Sequence, residues 1–421
     1  MFEIAGKSRE AGLRIDLARL RSDVEAVNAI GRIDGVPGIN RVSFSDADMA
    51  GRRWLMDRLA EAGLDARIDA IGNVFGRWEA GSGPAVLAGS HLDTVPQGGP
   101  FDGTLGVCAA LEAVRAMKAA GIAPARPVEI VCTADEEGRF GGMLGSQAIC
   151  GEVGPDWIAR AVDDSGQRLA DALRAQGLDP AASVARDPAG IAVFLELHVE
   201  QGPVLERAGV SIGIADAVSG VFNWTVTLAG AANHSGTTPM PGRRDAFRGL
   251  ADFGARIPAI LEAAGGADSR LTVGKVALSP NFPHSVAGEA TFSVIGRDVE
   301  EAVMRSLAEA CRDELGAAAA RHGLGLDIAE QGWLPPTRLD GAVARRLMDI
   351  CATCGMDAMT MSSGAGHDAQ TFARHCPAGL IFVPSVGGVS HSPAEWTEWP
   401  DIERGATLLA RAVAAFATDP A

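Results

Sequence analysis

Seven histidine and acidic residues stand at or after the ends of four apolar segments of this chain, a pattern that can bind metal ions. They are His91, Asp93, Asp102, Glu136, Glu137, His198 and His391. At strand ends such side chains would lie close together and partly shielded from water, which carboxylates tolerate only if a cation neutralises them. Imidazole and carboxylate ligands without thiolates suit zinc, manganese or cobalt. The sequence therefore predicts a metal site.

The four apolar segments have the short, β-branched character of buried parallel strands. They cover residues 85–88, 128–132, 192–197 and 380–383. Helical patterns alternate with them, as in 104–120, which carries one apolar face and is followed by Gly121. This alternation predicts an α/β domain built on an open mixed sheet, with its functional groups beyond the carboxyl ends of the strands.

The stretch 217–331 follows a different pattern, with strands and helices in the order βαββαβ of a ferredoxin-like unit. The predicted elements are a strand at 224–228, a helix at 245–264, strands at 271–278 and 290–295, a helix at 300–321 and a strand at 324–328. Because this stretch interrupts the α/β pattern, we predict a catalytic domain formed by residues 1–216 and 332–421. The middle stretch would be an inserted lid or dimerisation domain.

Composition narrows the class of protein further. The formal net charge of -16 repels nucleic acid and anionic lipid, so neither is an expected partner. The sequence has no apolar run typical of a membrane helix or a secretory signal, which predicts a cytoplasmic protein. The seven cysteines are irregularly spaced and favour buried thiols over a disulfide framework.

Eight motifs in one order carry a resemblance to a known family. They are INRVSFSDAD (39–48), DAIGNVFGR (69–77), GSHLDTVPQGGPFDG (89–103), DEEGRFGGMLGS (135–146), ELHVEQGP (196–203), ANHSGTTPM (232–240), SGAGHDAQ (363–370) and VPSVGGVSHSPAE (383–395). The sequence resembles the hydantoinase/carbamoylase branch of the di-metal aminopeptidase and aminoacylase clan. That branch includes N-carbamoyl-L-amino-acid hydrolases and allantoate or ureidoglycolate amidohydrolases. The resemblance implies a hydrolase of carbon–nitrogen bonds other than peptide bonds, in linear amides or amidines.

The resemblance also implies two divalent metal ions, with zinc as the first candidate and manganese or cobalt as alternatives. Asp102 matches the carboxylate that bridges both metals. His91 and His198 match the further ligands of one metal, and Glu137 and His391 those of the other. Two cations bridged in this way can share a water and lower its pKa to roughly 7, and the bridging hydroxide would attack the substrate carbonyl.

Three residues match catalytic positions of the family. Glu136 corresponds to the general base, and Asp93 to the acid that fixes the tautomer and orientation of His91. His234 corresponds to a histidine that reaches an active site, commonly that of the partner subunit, and stabilises the developing oxyanion. The resemblance thus implies a homodimer formed through the inserted domain.

The resemblance, together with the residues near its motifs, also suggests a set of substrate-binding residues. They are Arg297, His284, Asn233, Gln201 and His367. For Arg297 the alternative is a salt bridge to Asp298 or Glu300. Three positions depart from the family pattern: His284 replaces an Asn, Ala287 a Pro and Ile295 an Asp. These departures lie in the substrate region and leave the predicted metal ligands unchanged.

Three functions are compatible with these residues. The leading hypothesis is a metal-dependent amidohydrolase that cleaves the carbamoyl or ureido C–N bond of a small anionic N-carbamoyl or ureido acid. A dipeptidase or N-acyl amino-acid hydrolase with the same metals is the alternative. A metal- or ligand-binding protein without catalysis is the third, and the presence of Glu136 argues against it.

Overall fold

The computed structural model describes residues 13–182 and 185–419. Their internal contacts divide the chain into two compact units. Unit 1 comprises the residues up to Asp216, Leu339–Met361 and the residues from Gly366, and unit 2 comprises Ala217–Arg338 and Ser362–Ala365. The predicted inserted domain ended at residue 331, whereas unit 2 continues to Arg338 because its last long strand runs to Leu334.

Helices and strands alternate along most of the chain. Up to the start of unit 2 they are α1 (Leu17–Ala29), α2 (Asp46–Glu61), β1 (Asp65–Ile68), β2 (Val74–Trp78), β3 (Ala85–His91), α3 (Thr104–Ala119), β4 (Val128–Thr133), α4 (Leu144–Ile149), α5 (Pro155–Arg160), α6 (Leu169–Ala175), β5 (Ile191–Val199), α7 (Val204–Ala208) and β6 (Ile212–Val218). Next come β7 (Gly220–Ala229), β8 (Asn233–His234), α8 (Ala246–Ala264), β9 (Arg270–Thr272), β10 (Val276–Ser279), β11 (Ser285–Val286), β12 (Glu289–Asp298), α9 (Glu301–His322), β13 (Gly325–Leu334) and β14 (Thr337–Arg338). The chain then adds α10 (Gly341–Cys354), β15 (Ala358–Ser363), α11 (Asp368–Phe372), β16 (Ala378–Val383) and α12 (Trp399–Thr418).

Unit 1 is built on a mixed sheet with the strand order β1-β2-β4-β3-β5-β16-β6. The inner strands β4, β3, β5 and β16 run parallel, and β1, β2 and β6 pair antiparallel. Strands β3, β4 and β16 are buried along their whole length, which explains their mainly apolar sequences, with Glu129 as a buried acid within β4. The predicted open mixed sheet is confirmed. Because the four inner strands are parallel, their carboxyl ends meet at one edge.

Unit 2 contains an antiparallel sheet in the order β10-β12-β7-β13, with β9 also paired to β12. Alternate residues of β7 are buried and form a core with α8 and α9. The single strand predicted at 271–278 is two short strands, β9 and β10. Between them, the backbone N–H groups of Gly274 and Lys275 donate to the Ser293 hydroxyl, and this side-chain contact interrupts the ladder.

A separate two-stranded ribbon in unit 2 pairs β8 with β11. Its register aligns His234 with Ser285 and Asn233 with Val286. Among the described residues, no helix has the length and apolar character required to cross a bilayer.

Candidate metal centre

The first group of possible metal ligands lies at the carboxyl edge of the unit 1 sheet and is fully buried. His91 ends β3, His198 lies near the end of β5, and Asp102 stands just before α3. The Nε2 atoms of His91 and His198 lie 3.5 and 3.2 Å from Asp102 Oδ1. One ligand atom from each residue lies within 4.8 Å of the others, so a single cation can be held by all three.

The second group shares Asp102 and adds Glu137 and His391. His391 Nε2 lies 3.4 Å from Asp102 Oδ2 and 3.3 Å from Glu137 Oε2. The His391 side chain is 50% exposed, and its backbone has a left-handed φ of 52°. The two oxygens of Asp102 therefore face different groups, which is the geometry that a bridging carboxylate requires.

Hydrogen bonds on the far side of two rings fix the tautomers that metal binding needs. His91 Nδ1 lies 2.9 Å from the main-chain oxygen of Asp93, and His198 Nδ1 lies 2.9 Å from that of Val199. A carbonyl oxygen accepts only from a protonated nitrogen, so Nδ1 carries the proton in a neutral ring. In each neutral ring Nε2 is then unprotonated, and that of His198 also accepts from the Gly103 backbone N–H at 3.1 Å.

Asp93 contacts His91 through a different atom from the one that the resemblance implied. Its main-chain oxygen accepts from the ring, whereas its carboxylate Oδ1 is 4.0 Å from His91 Nδ1. Carboxylate Oδ2 instead accepts from Ser43 Oγ at 2.9 Å and from the Glu137 backbone N–H at 3.1 Å. Asp93 thus contacts His91 of the first group through its backbone and Glu137 of the second group through its side chain.

The charges of this region are unbalanced in the protein alone. Burial raises the pKa of Glu136 well above its ordinary value, and Glu137 adds to the effect. Burial also raises the pKa of Glu137 to about 7, with Asp102 as the next cause. Burial lowers the pKa of His91, but Glu136 and Asp102 outweigh it and raise this pKa well above the ordinary value. The buried acids therefore favour protonation in the protein alone, and divalent cations on these N and O donors would take the place of those protons, so the residues fit such ions.

Glu136 lies beside the ligand groups without being a member of either. Its Oε2 is 3.4 Å from His91 Nε2, and the side chain is nearly buried. The adjacent residue Glu137 turns its carboxylate toward His391 instead. Glu136 and Glu137 therefore contact different histidines, as two different roles would require.

Two residues expected to bind substrate contact the metal centre directly. Gln201, with a left-handed φ of 61°, donates from Nε2 to Asp102 Oδ2 at 2.7 Å. Its Oε1 is buried and has no hydrogen-bond partner among the described residues. The buried ring of His367 packs edge-on against His198, with 4.6 Å between centroids, and burial holds its pKa well below the ordinary value. His367 is thus a neutral ring that supports a ligand.

The other expected substrate residues belong to unit 2. Asn233 and His234 form the exposed strand β8, and the exposed His284 directly precedes β11, where its main-chain oxygen accepts from the Ser235 N–H at 2.9 Å. His234 Nδ1 accepts from the backbone N–H groups of Gly236 and Thr237 at 3.1 and 3.2 Å. In the neutral ring the proton is therefore on Nε2, which becomes a donor.

Arg297 occupies β12 and donates from Nη1 to the Gly364 main-chain oxygen at 3.1 Å. The two acids considered as its alternative partners are engaged elsewhere. Asp298 accepts from Ser269 Oγ and from the Glu300 backbone, and Glu300 pairs with Arg338.

Sequence reasoning missed several polar residues that surround the centre. Arg52, paired with Asp48 at 2.9 Å, reaches within 3.6 Å of Asp93, and both arginine and aspartate are buried. Ser390 and Glu395 contact Asp102 from the other side. Asp48 lies in the motif INRVSFSDAD, and Ser390 and Glu395 lie in the motif VPSVGGVSHSPAE, so these motifs could have drawn attention to them. Arg52 lies in neither motif.

A family model and several known hydrolases match most of the chain. The family model described as Peptidase family M20/M25/M40 matches residues 87–415. The chain is 37% identical to the allantoate amidohydrolase of Escherichia coli (strain K12), covering 90% of this chain and 92% of that protein. It is 36% identical to the N-carbamoyl-L-amino-acid amidohydrolase of Paenarthrobacter aurescens, covering 90% and 93% respectively.

A solved structure extends the likeness to the whole fold. The crystal structure of an amidase of the hydantoinase/carbamoylase family from Burkholderia multivorans matches with a TM-score of 0.88 and 31% identity, covering 97% of this chain and 100% of that one. These matches confirm the expected class of enzyme, a hydrolase. The chain belongs to the M20/M25/M40 peptidase family and, within it, to the hydantoinase/carbamoylase amidases that its motifs resemble.

Proposed function

We propose that this hydrolase cleaves the carbamoyl or ureido C–N bond of a small anionic N-carbamoyl or ureido acid. The observation that carries the proposal is the pair of ligand groups joined by Asp102, with Glu136 beside them and outside both. The relatives named above act on N-carbamoyl-L-amino acids and allantoate, which are both ureido acids. They support this substrate class over dipeptides and N-acyl amino acids.

In this proposal two divalent cations are held by the two groups, with zinc preferred and manganese or cobalt as alternatives. His91, His198 and Asp102 Oδ1 hold one, and Glu137, His391 and Asp102 Oδ2 hold the other. When bound, the cations polarise the substrate carbonyl and lower the pKa of water at the site to roughly 7. Asp93 and the main-chain oxygen of Val199 keep the two ligand rings in the required tautomer.

Glu136 is the proton carrier of the proposed reaction. Its carboxylate accepts a proton from the attacking water as the new C–O bond forms, and then donates that proton to the leaving nitrogen as the C–N bond breaks. The carbamic acid that remains decomposes to an amine or ammonia and carbon dioxide. Balanced over the whole substrate, an N-carbamoyl amino acid and water give the amino acid, ammonia and carbon dioxide.

The residues of unit 2 are proposed to bind and orient the substrate. His234 donates from Nε2 to the developing oxyanion, and Arg297 binds the substrate carboxylate. Asn233 and His284 contribute polar contacts from the same unit, whereas Gln201 contributes one from unit 1, where His367 supports His198. We further propose that the second unit acts as a lid and forms a cytoplasmic homodimer in which His234 serves the partner's site.

A substrate panel tests the function. The purified chain would be assayed with N-carbamoyl amino acids, allantoate, ureidoglycolate, N-acetyl amino acids and dipeptides, each with added zinc, manganese or cobalt. Ammonia and free amine would be measured separately, with Glu136→Gln protein as the control. We expect both products from a ureido acid. Amine release from an N-acetyl amino acid or a dipeptide without any turnover of ureido acids would replace this proposal with the alternative.

A further inference from the structure

Asp102 presents two oxygens that differ in their hydrogen bonds. Oδ1 faces the Nε2 atoms of His91 and His198. Oδ2 faces His391 and also accepts from Gln201 Nε2 at 2.7 Å and from Ser390 Oγ at 3.0 Å. A carboxylate oxygen has two lone pairs, so these two donors occupy the electron density that a cation in the second group would need. One donor must turn away before Oδ2 can bind such a cation.

Ser390 is the donor with an alternative. Its hydroxyl lies 2.7 Å from Glu395 Oε2, nearer than its 3.0 Å contact with Asp102 Oδ2. A hydroxyl carries one proton, so it donates to one of the two carboxylates at a time. Rotation about a single bond is therefore enough to release Asp102 Oδ2 while the proton stays hydrogen-bonded.

Glu395 is fixed in place by the loop that carries Asp102. The side chain is 2% exposed, and its Oε1 accepts from the backbone N–H groups of Phe101 and Asp102 at 2.8 and 3.1 Å. The same loop approaches so closely at Gly99 that an added Cβ would lie 2.4 Å from Glu395. The Oε2 atom is thus held toward Ser390 by main-chain donors and not by the side chains of the ligand groups.

We propose that Ser390 and Glu395 are positioning residues that set the cation affinity of the group Asp102, Glu137 and His391. The Ser390 hydroxyl is shared between Asp102 and Glu395 in the cation-free centre, and it donates to Glu395 alone when a cation is bound. The first group, with His91 and His198 on Oδ1, does not depend on this exchange. The proposal deepens the function above and rests on its assignment of both groups as cation sites.

The Glu395→Gln variant separates the exchange of the Ser390 proton from the support that Glu395 gives to the loop that carries Asp102. The amide oxygen must take the Oε1 position, because two backbone donors converge there. The amide NH₂ then faces Ser390 and donates to it, which leaves Asp102 as the acceptor for the Ser390 proton. We expect the affinity of the second group for Zn²⁺ or Mn²⁺ to fall by about 10- to 100-fold, the usual effect of removing an outer hydrogen bond at a metal site. The cation affinity of the first group, which contains His91 and His198, should change by less than about twofold.

Ser390→Ala should not reproduce the loss of second-group affinity expected for Glu395→Gln, and this difference decides the test. It removes the competing donor, so the second affinity should stay level or rise. In the double variant Ser390→Ala/Glu395→Gln the loss caused by Glu395→Gln should largely disappear, because the hydroxyl through which it acts is absent. Ser392→Ala is the matched control, since Ser392 lies in the same loop and its Oγ accepts from the Ala394 backbone.

Stepwise affinities would be measured on the chelator-stripped full chain by calorimetric titration with Zn²⁺ and Mn²⁺, alongside thermal unfolding. Equal losses at both groups in Glu395→Gln, or the same loss with and without Ser390, would show that Glu395 only supports the loop. A tenfold or greater loss of second-group affinity in Ser390→Ala alone would also overturn the proposal. Failure of the unmodified chain to bind two cations would instead remove the function on which the inference rests.

Discussion

The residues expected to act on the substrate stand in two contrasting regions of the molecule. In unit 1, His91 and His198 are buried at strand ends and their rings are held by main-chain hydrogen bonds, and Asp102 is buried just before α3. In unit 2, His234 and His284 stand exposed on a short ribbon. A change in the buried region disturbs several neighbours at once, whereas an exposed side chain can be exchanged with little effect on the fold.

The departures from the family pattern follow the same division. His284, Ala287 and Ile295 all belong to unit 2, and the ligand groups in unit 1 retain every expected residue. We infer that unit 1 fixes the reaction and that unit 2 adapts the enzyme to its substrate. Substitutions of the ligand groups or of Glu136 in unit 1 should therefore abolish turnover for all substrates, and those of the expected substrate-binding residues in unit 2 should change the relative rates among substrates.

The largest effect is expected for Asp102→Ala. Removing the shared carboxylate takes one ligand from each group, so both cations and at least about 10³-fold of the activity should be lost. His391→Ala, which alters only the second group, should mainly empty that group. Elemental analysis of the purified variants checks both. Two fully occupied cation sites in Asp102→Ala protein would remove the bridging role.

Glu136→Gln should have the next largest effect. The amide cannot accept a proton, so kcat should fall by roughly 10²- to 10⁴-fold for every substrate, while cation content and KM change little. Glu152→Gln is a control, since this acid of the same unit pairs with Arg374 outside both ligand groups. Near-normal turnover by Glu136→Gln would assign the proton transfer to another group.

The sequence predicted the elements of unit 1 better than the contacts between its loops. Strands β3, β4 and β16 are mainly apolar, so their positions and the metal-type residues that follow them could be predicted from the sequence. The contact between Glu395 and the Phe101 backbone joins residues 294 positions apart and involves main-chain atoms, which no residue pattern specifies. Asp93 illustrates the same limit, because its residue type was predictable and the atom that meets His91 was not.

Unit 2 was less predictable for a related reason. Its ribbon consists of two-residue strands, too short to produce a periodic pattern, and one expected strand is divided by the Ser293 hydroxyl. The tautomer of His234 likewise depends on two turn N–H groups. Such local contacts are decided by backbone geometry after the sheet has formed.

His234→Ala tests whether the exposed region also takes part in the reaction. Loss of a donor to the oxyanion should lower kcat by about 10²- to 10³-fold with the cations retained. If His234 serves the partner's site, mixing His234→Ala with Glu136→Gln subunits should restore part of the activity, because one site of each mixed dimer regains both residues. Mixed dimers without activity would restrict His234 to its own chain or to a structural role.

The smallest effect, and the one most specific to substrate, is expected for Arg297→Lys. Gly364 uses one of the five guanidinium N–H donors, and a planar fork can still bind a carboxylate through two parallel hydrogen bonds. Burial lowers the pKa of Arg297 below its ordinary value, yet an arginine stays charged at neutral pH. Lysine keeps the charge and loses the fork, so kcat/KM for ureido acids should fall by roughly ten- to several-hundredfold. The corresponding ureido amides should be poor substrates for both proteins and nearly unaffected by the change. Arg338→Lys is the matched control, since Arg338 belongs to the same unit and pairs with Glu300. Equal losses on acids and amides would mean that Arg297 supports unit 2 through Gly364 and does not bind the carboxylate. The inference that unit 1 fixes the reaction and unit 2 adapts the enzyme to its substrate would then be contradicted at this residue.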